Sequence, residues 1–286
     1  MRRCLLALML LAALSPSVRA DVTDHYVLLM VWMPGLCKFE PDRVECKDLT
    51  LRRYDGLNLA FMALQSARPS NASNTYCATM LDDESQDRAR QWCDMYQPKI
   101  PDTLTMQLKT LMPVMQSCQD RGLWARYGSC TMYSATDYYS RGIKLATAFA
   151  ATQLNSKIAA AVGGTAKQSE LLDAFKADFG DEKVNAVEFL CRKEGNTAHL
   201  LQVRLALTPR ALTRGLAKEL LWKPTNPLHR GCPENIVVDA PPVPIAASAP
   251  APAKPAPPPG EPAAPDSVPV GPVETAPLEP TGPVVR

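Results

Sequence analysis

The sequence predicts an α+β fold, on three observations. Apolar, β-branched and aromatic runs of strand length stand near the beginning and end of its apolar-rich part. Amphipathic stretches with helical spacing lie between them. Cysteines are scattered through all of these elements, as in a loop-rich domain held by cross-links. Local pattern agrees with this class but does not choose a topology within it.

His25 to Trp32 (HYVLLMVW), bounded downstream by Pro34-Gly35, reads as a buried strand. Cys37 and Cys46 bracket a short polar loop, and Leu57 to Leu64 is a second run of strand length. Residues 66–100 are polar and irregular and contain Cys77 and Cys93. Asp102 can cap a helix whose apolar stripe is Leu104, Leu108, Leu111 and Met112, stopped by Pro113. Asp137 can cap a second, with Ile143, Ala146, Ala150 and Leu154 along one side. Ser169 to Phe179 makes a third, carrying Leu171, Leu172, Phe175 and Phe179 and ended by Gly180. Ala186 to Cys191 and Leu200 to Thr208 then alternate as strands. The stripes are core, and Gly163-Gly164 is a turn.

The two ends differ from this middle. Arg2 and Arg3, an apolar stretch from Leu5 to Leu14, and Val18-Arg19-Ala20 have the form of a secretory signal peptide over residues 1–20. The folded domain is expected over 21–240. From Pro241 to Arg286, sixteen residues are proline, mixed with alanine. Such a tail lacks the bulky apolar surface that offsets ordering entropy and is expected to be disordered and extended. It reads first as a passive solvated tail, with spanning an envelope layer or fitting a partner's groove as the alternatives. Its deletion is expected to leave the melting temperature of the domain unchanged. No later apolar run has the length of a transmembrane helix.

Export gives the cysteines meaning. Of nine, Cys4 falls in the signal peptide, leaving eight for disulfides, with on the order of a hundred pairings open. Metal sites and cofactors are not expected: there is no CxxC pair, and His25, His199 and His229 are scattered and read as surface or strand-end residues. The formal net charge of +2 argues against a strongly basic nucleic-acid binder. Asn71-Ala72-Ser73 fits a glycosylation acceptor but reads as a plain polar loop.

Several stretches together resemble the ribonuclease T2 family. Tyr26 to Cys37 (YVLLMVWMPGLC) is similar to that family's opening YVLALSWSPGFC, and the Cys37–Cys46 loop follows as it does there. Leu59 to Gln65 (LAFMALQ) falls where the family has LHGLWPQ. Leu123 to Cys130 (LWARYGSC) falls where it has EWxKHGTC, after a helix ending in Met-Pro in both. Val187 to Cys191 and Gln202 to Leu205 resemble its C-terminal paired strands. The resemblance spans about residues 24–234 and implies an antiparallel sheet packed with helices. It also implies disulfides Cys77–Cys130 and Cys191–Cys232. The short loop pairs Cys37 with Cys46, and Cys93 and Cys118 are then left for each other.

Enzymes of this family cleave RNA through a 2′,3′-cyclic phosphate without metal, using two histidines, a Glu and a Lys. The resemblance places the first histidine at Ala60, the Glu at Leu123, the Lys at Arg126 and the second histidine at Tyr127. A further histidine corresponds to Gly122, and the base-stacking Trp to Ala63. Losing a general acid or base costs roughly 10²–10⁴-fold each, and only Arg126 keeps its charge. Trp124, Gly128 and Cys130 keep the framework, so a cleft is expected, with Leu123 and Phe61 making it apolar. Arg126 and Trp124 are its candidate ligand contacts, for a partly apolar ligand or a protein segment, with RNA at most a weak ligand. Three readings follow: an exported protein that has lost RNA cleavage and keeps a binding or structural role; a divergent metal-independent endoribonuclease; or an envelope-associated scaffold acting through its Pro-rich tail.

Overall fold

The computed structural model describes residues 23–68, 74–224 and 231–242. The signal peptide, the Asn71–Ser73 acceptor, His229 and the Pro-rich segment from Val243 onward lie outside these. All described residues fall in one compact unit.

The chain runs β1 (His25–Val31), α1 (Met33–Phe39), α2 (Tyr54–Leu57), β2 (Ala60–Ala67), α3 (Asp83–Arg88), α4 (Asp102–Leu111), α5 (Gln119–Arg126), α6 (Ala135–Ala150), α7 (Gln153–Ala160), β3 (Gly164–Lys167), α8 (Gln168–Phe179), β4 (Val187–Glu194), β5 (Thr197–Leu207), α9 (Ala211–Arg214) and β6 (Asn235–Val238). The six strands form one sheet in the order β2-β1-β5-β6-β3, with β4 on the other side of β5. All seven residues of β1 are buried, because it lies between β2 and β5 and is covered on both faces. This is the α+β fold expected from the sequence.

The sheet departs from a purely antiparallel one at a single point, where β5 meets β6 in parallel at His199↔Val237. A tight hairpin forces antiparallel pairing, whereas the long connection from β5 to β6 leaves the direction free. The hairpin between β4 and β5 closes on Gly195-Asn196, with Glu194 opposite Thr197 and Gly195 at φ +59°. It lengthens both strands beyond Cys191 and before Leu200, where polar side chains masked the alternation.

Other boundaries also moved. The expected strand from Leu57 begins only at Ala60, after the short α2. Asp102 is the first residue of α4 rather than its cap, and Pro101 precedes it. Ser134, not Asp137, caps α6: its Oγ accepts from the Asp137 amide at 3.1 Å, while the Asp137 carboxylate accepts from that hydroxyl. The stripe expected to continue to Leu154 is broken, because Thr152 caps a new helix by accepting from the Asn155 amide. Leu171, Leu172, Phe175 and Phe179 are the buried face of α8, and Gly180 follows it, as expected.

Four disulfides join Cys37–Cys46, Cys77–Cys130, Cys93–Cys118 and Cys191–Cys232. His25 opens β1 and His199 lies near the start of β5, so both are strand-end residues as read, but neither is at the surface. His25 is fully buried and stacks on Trp222 with ring centroids 3.8 Å apart. His199 is buried with Nδ1 2.9 Å from the Asp239 carboxylate.

Candidate functional site

Helix α5 is the scaffold of the site. Cys118 starts it from a left-handed conformation, and Cys130 lies just past its end, so disulfides tie both termini to other parts of the chain. Their partners, Cys77 and Cys93, delimit a single segment that includes α3. That segment is a strap stapled over α5 at two points.

The strap reaches α5 at Gly122. A Cβ there would lie 2.4 Å from Asp87 Oδ1 and 2.7 Å from Trp92 Cδ1, so only glycine lets the strap sit this close. Asp87 is then aimed at Arg126. Its Oδ2 receives Arg126 Nη2 at 2.6 Å, Arg126 Nε at 2.8 Å and the Tyr76 hydroxyl at 2.6 Å. Its Oδ1 accepts from Trp92 Nε1 at 2.8 Å. Burial opposes the charge on Arg126, but Asp87 and Tyr76 outweigh it and hold the guanidinium above its ordinary pKa. Burial, with the hydrogen bond to Asp87, pushes the Tyr76 phenol up to about 12.

The strap, β1, β2 and β5 enclose a cleft of about 340 Å³. Its apolar lining comes from Val31, Leu36, Met62 and Leu201, not from Leu123 and Phe61, which lie in the core. Guanidiniums line it too, yet carboxylates answer them. Arg43 is 2.6 Å from Glu45 and 3.0 Å from Glu40, and Arg90 is 3.1 Å from Glu40.

Of the four positions matched to catalytic residues, Ala60 and Leu123 are buried in the core and do not line the cleft. Tyr127 closes α5, its amide bonding to Leu123 O at 2.9 Å, and packs half-buried against the core. Arg126 alone reaches the cleft. From β2 the lining side chain is Met62, beside the irregularity in register where Met30 pairs Phe61 and Leu29 pairs Ala63. Trp124 does not share this cavity with Arg126. It packs edge-on against Tyr138, with centroids 5.4 Å apart, and lines a separate groove with Met80 and Tyr96. The two expected ligand contacts therefore serve two different concavities.

Sequence reading missed Asp87 and Trp92, which lie in a stretch taken as irregular and polar. The signal was the flanking pair Cys77 and Cys93. Among the described residues no group of three His, Cys, Asp or Glu side chains could hold a metal ion, and no helix is long and apolar enough to cross a membrane.

One acid of α5 carries a pH-dependent cost. Burial pushes the Asp120 carboxyl up to about 6, against the lowering influence of Arg121. The folded state thus holds this proton more tightly than the unfolded chain. Nothing is lost below about pH 4; stability falls as pH rises from there to about 6, by up to roughly 3 kcal/mol. Asp120→Asn is expected to flatten that slope, stabilising the protein above pH 6 and leaving it unchanged near pH 4. Urea unfolding at the two pH values measures it, and equal effects at both would refute the assignment.

No protein-family model and no curated protein sequence matches the chain. Solved structures do. Ribonuclease MC1 from bitter gourd seeds is 18% identical, with a TM-score of 0.52 over 75% of this chain and 99% of its own. A variant of that ribonuclease in complex with 5′-GMP gives a TM-score of 0.54 at 18% identity, over 76% of this chain and 100% of its own. The self-incompatibility-associated SF11-RNase of Nicotiana alata is 13% identical, with a TM-score of 0.52 over 76% of this chain and 100% of its own.

Proposed function

We propose that this chain, whose fold is that of the T2 ribonucleases, is an exported protein that no longer cleaves RNA and whose scaffold serves binding. The observation that carries this reading is the Asp87–Arg126 pair. The one catalytic-position cation that survives is bonded to a carboxylate of the chain's own strap, at 2.6 Å. A phosphate would have to displace that carboxylate and desolvate in its place. Ala60 and Leu123 carry no ionisable group and are packed in the core, so no acid–base pair faces the cleft from those positions. Four disulfides support an oxidising compartment.

The divergent-nuclease reading would need another imidazole. His25 lies at the far end of β1 from the cleft-lining Val31, about 20 Å away along the strand. His199 is buried and occupied by Asp239. Neither lines the cleft. The scaffold reading concerns the Pro-rich tail, which lies outside the described residues.

Purified protein is expected to release no signal above a mock preparation from a fluorophore-quencher RNA, with chelator present, between mildly acidic and neutral pH. Cleavage that survives in wild type but disappears in His199→Gln would establish the divergent nuclease instead. Replacing Ala60 with His, Leu123 with Glu and Tyr127 with His is not expected to restore cleavage while the strap remains in place.

A further inference from the structure

We propose that the outer face of the strap is a docking surface for a basic, apolar-anchored peptide segment of a partner protein. Between the strap and α5 runs a groove of about 330 Å³, lined by Met80, Tyr96 and Trp124 among others. Its border is unusually apolar for a solvated surface: Met80 is 66% exposed, Leu81 101% and Tyr96 53%. Met132, 97% exposed, stands two residues beyond Cys130, whose disulfide to Cys77 brings it to the same end of the strap. Large apolar side chains gathered on one exposed surface mark an interaction site, and unbranched methionines adapt to varied partners. The exposure does not come from a frayed end. Two disulfides and the Asp87 network hold the strap to α5.

Charge selects the occupant. Residues 78–96 carry five carboxylates and two guanidiniums, a formal charge of −3. Both guanidiniums are answered, Arg88 by Glu84 and Arg90 by Glu40. Asp82 and Asp94 are exposed and have no ion pair among the described residues. Asp82 and Asp94, each two positions along the chain from the groove's Met80 and Tyr96, make the strap side of the groove acidic, which attracts lysine and arginine and disfavours anionic lipid and nucleic acid. The proposal names the partner class of the binding role argued above, but the groove is separate from the cleft. RNA cleavage by wild type would end that earlier reading and leave this one standing.

The test uses the full-length protein and a fluorescein-labelled amphipathic Lys/Leu peptide, its Glu/Leu counterpart, and phosphatidylcholine vesicles containing phosphatidylglycerol. Anisotropy should show salt-sensitive binding of the Lys/Leu peptide, with the Glu/Leu peptide at least about tenfold weaker. Met80→Ser with Leu81→Ser should weaken binding at least about tenfold, as loss of central apolar anchors does. Asp82→Asn with Asp94→Asn should weaken it several-fold, and Leu57→Ser, at an exposed apolar residue outside the patch, should not. All these side chains are exposed, so unchanged melting temperatures will separate lost docking from lost folding. Equal binding of both peptides, or indifference to the Met80/Leu81 change, overturns the proposal. Preferential binding to the anionic vesicles also overturns it, and assigns the face to a membrane.

Discussion

Asp87→Ala is expected to destabilise the domain by about 3 kcal/mol and to lower its melting temperature by roughly 10 °C. The carboxylate accepts from Arg126, Tyr76 and Trp92, and its side chain is only 3% exposed. Removing it leaves a guanidinium, a phenol and an indole N–H without their acceptor. Breaking a buried pair from one side costs about 3–5 kcal/mol. Arg126 is 35% exposed, so water recovers part of its lost attraction and the lower end of that range applies. Asp87→Asn keeps an acceptor for Trp92 but removes the charge, and should fall between wild type and alanine. Tyr76→Phe removes one neutral donor and should cost about 1 kcal/mol. Urea unfolding measures all three. A loss below about 1 kcal/mol for Asp87→Ala would mean that Arg126 swings free into the cleft, leaving the strap a peripheral loop.

How much of this was legible beforehand divides along physical lines. The buried strand at His25–Val31 and the apolar face of α8 announce themselves, because burial and periodicity are local properties. The alignment of short motifs carried the fold, since spacing survives where side chains change. What it could not carry was orientation. Ala60 stands where a catalytic histidine is expected, yet the residue that β2 turns to the cleft is Met62, beside an irregularity of register that no motif encodes. Likewise Arg126 read as a candidate ligand contact because its partner lies thirty-nine positions upstream in a segment without periodicity. Long-range pairs of this kind are invisible to any local pattern. Burial of His25 and His199 was missed for a related reason. An imidazole can be covered when an aromatic face or a carboxylate is brought to it, and Trp222 and Asp239 come from distant parts of the chain.

The strap's cross-links should matter more than any single side chain. Cys93–Cys118 closes a separation of 25 residues and Cys77–Cys130 one of 53. In the chain-entropy model these contribute about 3.5 and about 4 kcal/mol, which together rival the whole stability of an ordinary domain. They are not equivalent in what they hold. Cys118 is the residue from which α5 starts, and Cys130 lies beyond its end, so each bond pins one terminus of the helix to one end of the strap. Cys93→Ala with Cys118→Ala should therefore lower the melting temperature by roughly 10 °C and speed hydrogen exchange in α5 before the sheet is affected. Removing Cys77–Cys130 as well should leave a chain that does not fold cooperatively at 37 °C, because the Asp87 network then has no tethered frame to form in. Cys191→Ala with Cys232→Ala, which opens a separation of 41 residues between β4 and the segment before β6, should cost about 4 kcal/mol yet leave α5 exchange at wild-type rates. If α5 exchanges no faster in the Cys93/Cys118 variant than in the Cys191/Cys232 variant, the disulfides stabilise the domain without holding the strap. Closure of the cleft would then rest on Asp87 alone.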